Sequence, residues 1–299
     1  MIKRSRTLAT IGLIALSLPL LAGCNDGKET KAMMEQALVK QADMSSYRFN
    51  GSAEFELPSS GTPSGNPLVA GLRGMLANSK LEWSGVASLN PVRLESELKL
   101  TPRGSSSTYE LPMIIKDNKL FAHIPLLNAP DEYISWDKTP TENLSNSSAA
   151  ALDFLRLFLA DVEPGAFNQE KPNQLILSIT KDNAAAVSEA WSKHRQEAAQ
   201  ILPKYGLVGA GQWGGPGTDG VSAMKLTAPG EIRLTLDESG FIREMTADLR
   251  WQSETTEQAA AHVRLQNRYD DINQNPPFAK DIPSKVKPFE QIGKFLTKP

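Results

Sequence analysis

Apolar and polar positions along this chain follow two main rhythms. Tyr47, Phe49, Gly51, Ala53, Phe55 and Leu57 alternate with Arg48, Asn50, Ser52, Glu54 and Glu56. A period of two is the mark of a strand with one buried face. The same period places Leu81 and Trp83 opposite Lys80 and Glu82. It is clearest over 92–101, where Val92, Leu94, Ser96, Leu98 and Leu100 face away from Arg93, Glu95, Glu97, Lys99 and Thr101. Further strands are predicted over 108–115, 120–124, 133–136, 174–180, 221–227, 231–237, 241–251 and 260–269. Pro112 marks the first of these as an edge strand or a bulge. Asp117-Asn118 and Asp237-Glu238-Ser239-Gly240 read as hairpin turns.

The second rhythm is helical. Met34, Ala37 and Leu38 share one face of a helix predicted over 31–43. Leu68, Leu72, Met75 and Leu76 fall at i, i+4, i+7 and i+8 over 67–78. Gly71 and Gly74 weaken that helix by roughly 1 kcal/mol each relative to Ala, so packing must hold it. A third helix, over 147–162, has a wide apolar face that includes Leu152, Leu155, Phe158 and Leu159, and Pro164-Gly165 stops it. A fourth runs from about 182 to 202 with Val187, Trp191, His194, Ala198 and Ile201 on its stripe. The stretches 58–66 and 206–220, rich in Gly and Pro, are loops, and a short helix is expected over 289–296.

Strands in meander order, interrupted by helices rather than alternating with them, give an α+β fold. Around ten strands make a sheet large enough to curl. The expected architecture is a large curved antiparallel sheet, an unclosed β-barrel, with helices covering the concave face. Leu81, Trp83, Leu94, Leu98, Leu234, Leu236, Leu249 and Trp251 either line a cavity there or form a solid core. Leu68, Leu72 and Leu76 belong to the natural cover, and 67–78 is the candidate for a movable lid.

The amino end follows neither rhythm. Lys3, Arg4 and Arg6 precede an apolar run over 8–21. That is the length of a signal-peptide core, shorter than the roughly 20 residues a membrane span needs. Leu21-Ala22-Gly23-Cys24 resembles the lipobox of bacterial lipoproteins, and Cys24 is the only cysteine. The resemblance implies cleavage before Cys24 and acyl chains on its sulfur and its new amino group. Several chains hold a protein firmly where one holds it marginally. Loss of residues 1–23 moves the formal charge from −2 to −5. A mildly acidic chain lacks the concentrated basic face that a nucleic-acid partner needs. With one cysteine there is no disulfide, and the fold rests on burial and hydrogen bonding.

Candidate chemistry is sparse. His123, His194 and His262 stand alone, without a second ligand at helical or hairpin spacing, so no metal is expected. Asp270-Asp271 with Asp281 lacks a calcium-loop spacing, and Gly206–Gly211 lacks the ending of a phosphate loop. No nucleophile elbow appears. The chain reads as a non-enzyme without a cofactor.

The pattern resembles the LolA/LppX-type lipoprotein-carrier superfamily, and uncharacterised cell-surface lipoproteins of Gram-positive bacteria. The residues that carry this, besides the lipobox, are Ser46–Phe55, Gly65–Leu72 followed by Leu81–Gly85, the hairpin Ile232–Ile242, and the closing Tyr269–Phe278 with Ile282-Pro283. The resemblance implies a half-barrel whose concave face can hold an acyl chain. It gives a signal peptide over 1–23, a tether over 24–30, one domain over 31–285 and a tail over 286–299. The expected function is that of a lipoprotein anchored on the extracytoplasmic face of the cell membrane and binding a lipid or other hydrophobic small molecule. The alternative is an envelope-sensing or protein-docking module on the same scaffold.

Overall fold

A computed structural model describes residues 27–56, 79–125, 127–136, 152, 155–204, 224–253 and 260–291, with side chains at all but 195–204 and 224. The expected signal segment, Cys24, the helix expected over 67–78 with Leu68, Leu72 and Leu76, and the loop expected over 206–220 lie outside the described residues.

The chain opens with helix α1 (Gly27–Gln41) and continues through β1 (Ser46–Glu56), β2 (Ser79–Leu89), β3 (Val92–Pro102), β4 (Tyr109–Lys116), β5 (Lys119–Ala122) and β6 (Tyr133–Trp136). Helical residues 155–161, here α2, lead to β7 (Phe167–Lys171) and β8 (Gln174–Ile179). Helix α3 (Ala184–Lys204) precedes β9 (Met224–Leu236), β10 (Ile242–Ser253), β11 (Ala260–Asp270) and β12 (Val286–Pro288). The twelve strands form one sheet in the order β12-β6-β5-β4-β3-β2-β1-β11-β10-β9-β8-β7. Neighbours are antiparallel except β12, which runs parallel to β6. The end strands do not pair with each other, so the barrel is unclosed.

Register makes the sheet two-faced. One row runs Met245–Asn267–Gly51–Trp83–Leu98–Leu111 across six strands. The next runs Tyr269–Phe49–Gly85–Ser96–Met113–Ala122. Side chains of the intervening rows point to the opposite face. That outer face carries ion pairs from strand to strand, among them Arg264–Glu54 (3.1 Å), Lys99–Glu110 (3.0 Å) and Arg233–Glu170.

The main core fills the inner face at one end. Met34 and Leu38 of α1, Phe158 and Leu159 of α2 and Val187 of α3 pack on Leu175, Leu177, Ile232 and Leu234. Lys31 fastens α1 to the end of α2 by donating to the Ala160 and Val162 carbonyls (2.6 and 2.8 Å). A smaller core lies on the outer face at the far end, where Glu95, Ile114, Phe121 and Ser135 form a buried row. The C-terminal segment crosses it. Glu95 accepts from the backbone N–H groups of Ala279 and Lys280 (both 2.8 Å) and pairs with Arg93 (3.2 Å). Arg93 also sits 4.3 Å from the Phe278 ring centroid, and Lys116 holds Asp281 at 2.6 Å.

Several boundaries differ from expectation. Helix α1 starts at Gly27, inside the stretch expected as tether, and Thr30 is already fully buried. Residues 286–288, expected in a tail, form an edge strand, and the helix expected over 289–296 is described only at its opening turn. Strand β7 is an addition; only Phe167 of its five residues is buried, so it shows no period. Two strands expected over 221–237 are one, β9, running through Pro229. Strand β8 ends at Ile179, opposite Gly230, so Pro229 lies one residue past that neighbour. Pro112 stands where the β4–β5 ladder ends: its carbonyl accepts from the His123 N–H, but without an N–H of its own it cannot return the bond, and pairing stops at Met113–Ala122.

Candidate functional site

Between the filled end and the far end, the inner face is apolar but only half-buried. Leu81, Trp83, Leu94 and Leu98 are each intermediate in exposure. Leu234, by contrast, is fully buried in the packed core, with Leu236, Leu249 and Trp251 against it. Register does place the eight described candidates on one face; packing divides them into two sets. Leu68, Leu72 and Leu76 lie outside the described residues.

Two glycines shape the half-buried set. A Cβ at Gly51 would stand 2.6 Å from the Trp83 ring, and one at Gly85 would stand 2.6 Å from Phe49. The indole of Trp83 therefore lies flat across β1, over Gly51, and Phe49 lies over Gly85. Glycine inside a strand marks such close approaches. Lying across β1, Trp83 reaches β11 and donates from Nε1 to Asn267 Oδ1 (3.2 Å). Asn267 Nδ2 then donates to the Tyr269 hydroxyl oxygen (2.6 Å). An indole N–H can only donate, which fixes the amide with its oxygen toward Trp83 and its nitrogen toward Tyr269. The Tyr269 hydroxyl accepts from Asn267, leaving its own hydrogen to donate elsewhere. Its pKa is pushed up to about 12 by burial first and by Tyr47 second, so the phenol stays neutral. Tyr47 packs edge-on against Tyr269 at 5.5 Å and is likewise raised by burial.

Sequence reading did not single out this relay, although Asn267 sits on the inward parity with Val263, Leu265 and Tyr269. A polar side chain in an apolar alternation was the available signal. Ser96, a polar residue on the inward parity of β3, is buried with an Oγ that has no hydrogen-bond partner. An unmatched buried hydroxyl costs about 1–3 kcal/mol.

Inward positions of β1–β6, β11 and the Met245–Trp251 part of β10 carry no charged side chain among the described residues. Charge is displaced outward. His262 lies between Asp248 (2.8 Å) and Glu56 (3.6 Å), and His194 lies 3.2 Å from Asp161. His123 Nδ1 is 2.9 Å from the Glu132 carbonyl. The histidines, isolated in sequence, thus acquire partners through the fold. Asp270, Asp271 and Asp281 each face a separate cation. Among the described residues no three His, Cys, Asp or Glu gather as a metal site. A groove of about 630 Å³ between α1 and α2 is lined by Glu35, Lys40 and Arg156 beside Val39 and Leu157; it lies away from the relay.

No protein-family model matches the chain, and no curated protein matches it. Among solved structures, the chain is similar to LprF from Mycobacterium bovis, with 8% identity, a TM-score of 0.36, and 86% of this chain and 97% of that one covered. It is also similar to a DUF1329 family protein from Desulfovibrio piger, with 8% identity, a TM-score of 0.22, and 83% and 94% covered. Both scores are low, and the fold description stands on the sheet's own register. No helix among the described residues is long and apolar enough to cross a membrane.

Proposed function

We infer that this chain is a non-enzymatic lipoprotein of the LolA/LppX type, anchored through Cys24 on the extracytoplasmic face of the cell membrane. It holds a lipid or acyl ligand against the inner face of its unclosed barrel. One observation carries the reading: a continuous, uncharged apolar face over the middle strands, half-buried where the filled end is fully packed. Apolar surface of this extent is removed from water at about 25 cal/mol per Å² when something covers it. Leu81, Trp83, Leu94 and Leu98 are the ligand-facing set; Leu68, Leu72 and Leu76 would close over them. Leu236, Leu249 and Trp251 bound the site where it meets the packed core.

The test is extraction of the full-length protein from membranes, followed by mass spectrometry of what co-purifies. A stoichiometric lipid, lost when Leu98 and Leu81 are both changed to Asp, is the expected result. An empty protein that also fails to take up acyl probes would overturn the reading and leave the docking-module alternative.

A further inference from the structure

We propose that the Trp83–Asn267–Tyr269 relay recognises an uncharged oxygen acceptor of the ligand, so that the protein takes ester-type neutral lipids and rejects free fatty acids. This rests on the hydrophobic-ligand reading above. The relay is directional: the Trp83 N–H donates a hydrogen bond to Asn267, the Asn267 amide donates one to Tyr269, and the Tyr269 O–H is left to donate in turn. Tyr269 projects from the same inward row as Phe49, Gly85 and Ser96, near the end of β11. An ester carbonyl or ether oxygen accepts such a bond at no cost in charge. A carboxylate would accept it too, but would have to shed its water beside an inner face that holds no cation among the described residues. The outer face shows the converse, with every acid named above beside a Lys, Arg or His. The orphan hydroxyl of Ser96, three strands from Tyr269 along the row, is a second polar point that a ligand oxygen can satisfy.

The experiment compares three photoactivatable probes of equal chain length: a hydrocarbon, a fatty-acid methyl ester and the free fatty acid. Each is added to membranes containing the full-length protein, and labelling of inner-face peptides is read by mass spectrometry at pH 8. The ester is expected to exceed the acid by roughly tenfold or more. Tyr269→Phe and Asn267→Leu should each lower ester labelling by roughly three- to tenfold and leave the hydrocarbon unchanged. Acid labelling equal to that of the ester, or an ester-to-hydrocarbon ratio unmoved by both variants, overturns the proposal while the hydrophobic site stands. If no probe labels the inner face, the hydrophobic site itself falls and the proposal with it.

Discussion

The two ends of the inner face are built from the same alternation and end up in different states. At the β7–β10 end, Leu175, Leu177 and Leu234 are fully buried beneath α1, α2 and α3. Over β1–β3, Phe49, Leu81, Trp83, Leu94 and Leu98 hold equivalent positions and remain half-buried. Strand period decides which face a residue joins; helix placement decides whether that face is filled. The filled end supplies stability, and the half-buried stretch keeps surface to spare.

The largest test of this contrast is Leu234→Ala against Leu98→Ala. The first empties a packed site and should cost about 2–5 kcal/mol in urea unfolding; the second should cost roughly a third to a half of that. Equal losses would mean that the two ends are packed alike. Next in size, Glu95→Ala strips a buried carboxylate from two backbone N–H groups and Arg93. A loss of about 2–3 kcal/mol is expected, with faster hydrogen exchange confined to 276–288. Gly51→Val should cost about 1–3 kcal/mol by driving Trp83 off β1. A shift in tryptophan fluorescence to that of a more hydrated indole would report the broken Nε1 bond; an unchanged spectrum would count against the flat indole.

The smallest effect concerns pH at the far end. Lys116 and Lys287, through their hydrogen bonds, hold Asp281 and Glu132 below the usual carboxylate range. A carboxyl lowered in the folded state stabilises above its unfolded pKa and loses that contribution as pH falls through its folded pKa. Lys285 is raised by Asp131, so its contribution fades only as pH climbs through its elevated value. Asp281 and Lys285 are exposed and Glu132 is bonded to an exposed lysine, so the effect is slight. Protection of 279–288, taken relative to the intrinsic exchange rate at each pH, should fall in the acid range of the carboxylates and in the alkaline range of lysine before the filled end responds. Simultaneous loosening of both ends would show that they do not act separately.

How much of this could be read in the chain depended on neighbours. Strands β2 to β4, β10 and β11 were visible because one face is apolar and the other ionic. Strands β7 and β12 were not, because short edge strands need no alternation. Prolines 112 and 229 misled or informed according to where an adjacent strand stops, which is a property of the sheet. The aliphatic candidates emerged from periodicity, but their division into packed and half-buried sets required the helices. Asn267 and Ser96 were written into the alternation as exceptions; only register showed that the first meets Trp83 two strands away.

The early start of α1 shortens the leash. Only three residue steps separate Cys24 from Gly27, a reach of about 10 Å at full extension. Lys31 then rivets the helix to the Ala160 and Val162 carbonyls. If Cys24 carries the proposed anchor, a body moored so closely cannot ferry cargo across an aqueous gap. On the proposed anchoring it exchanges lipid with the leaflet it sits on, and lengthening the 24–27 segment would widen its radius of action without touching the site.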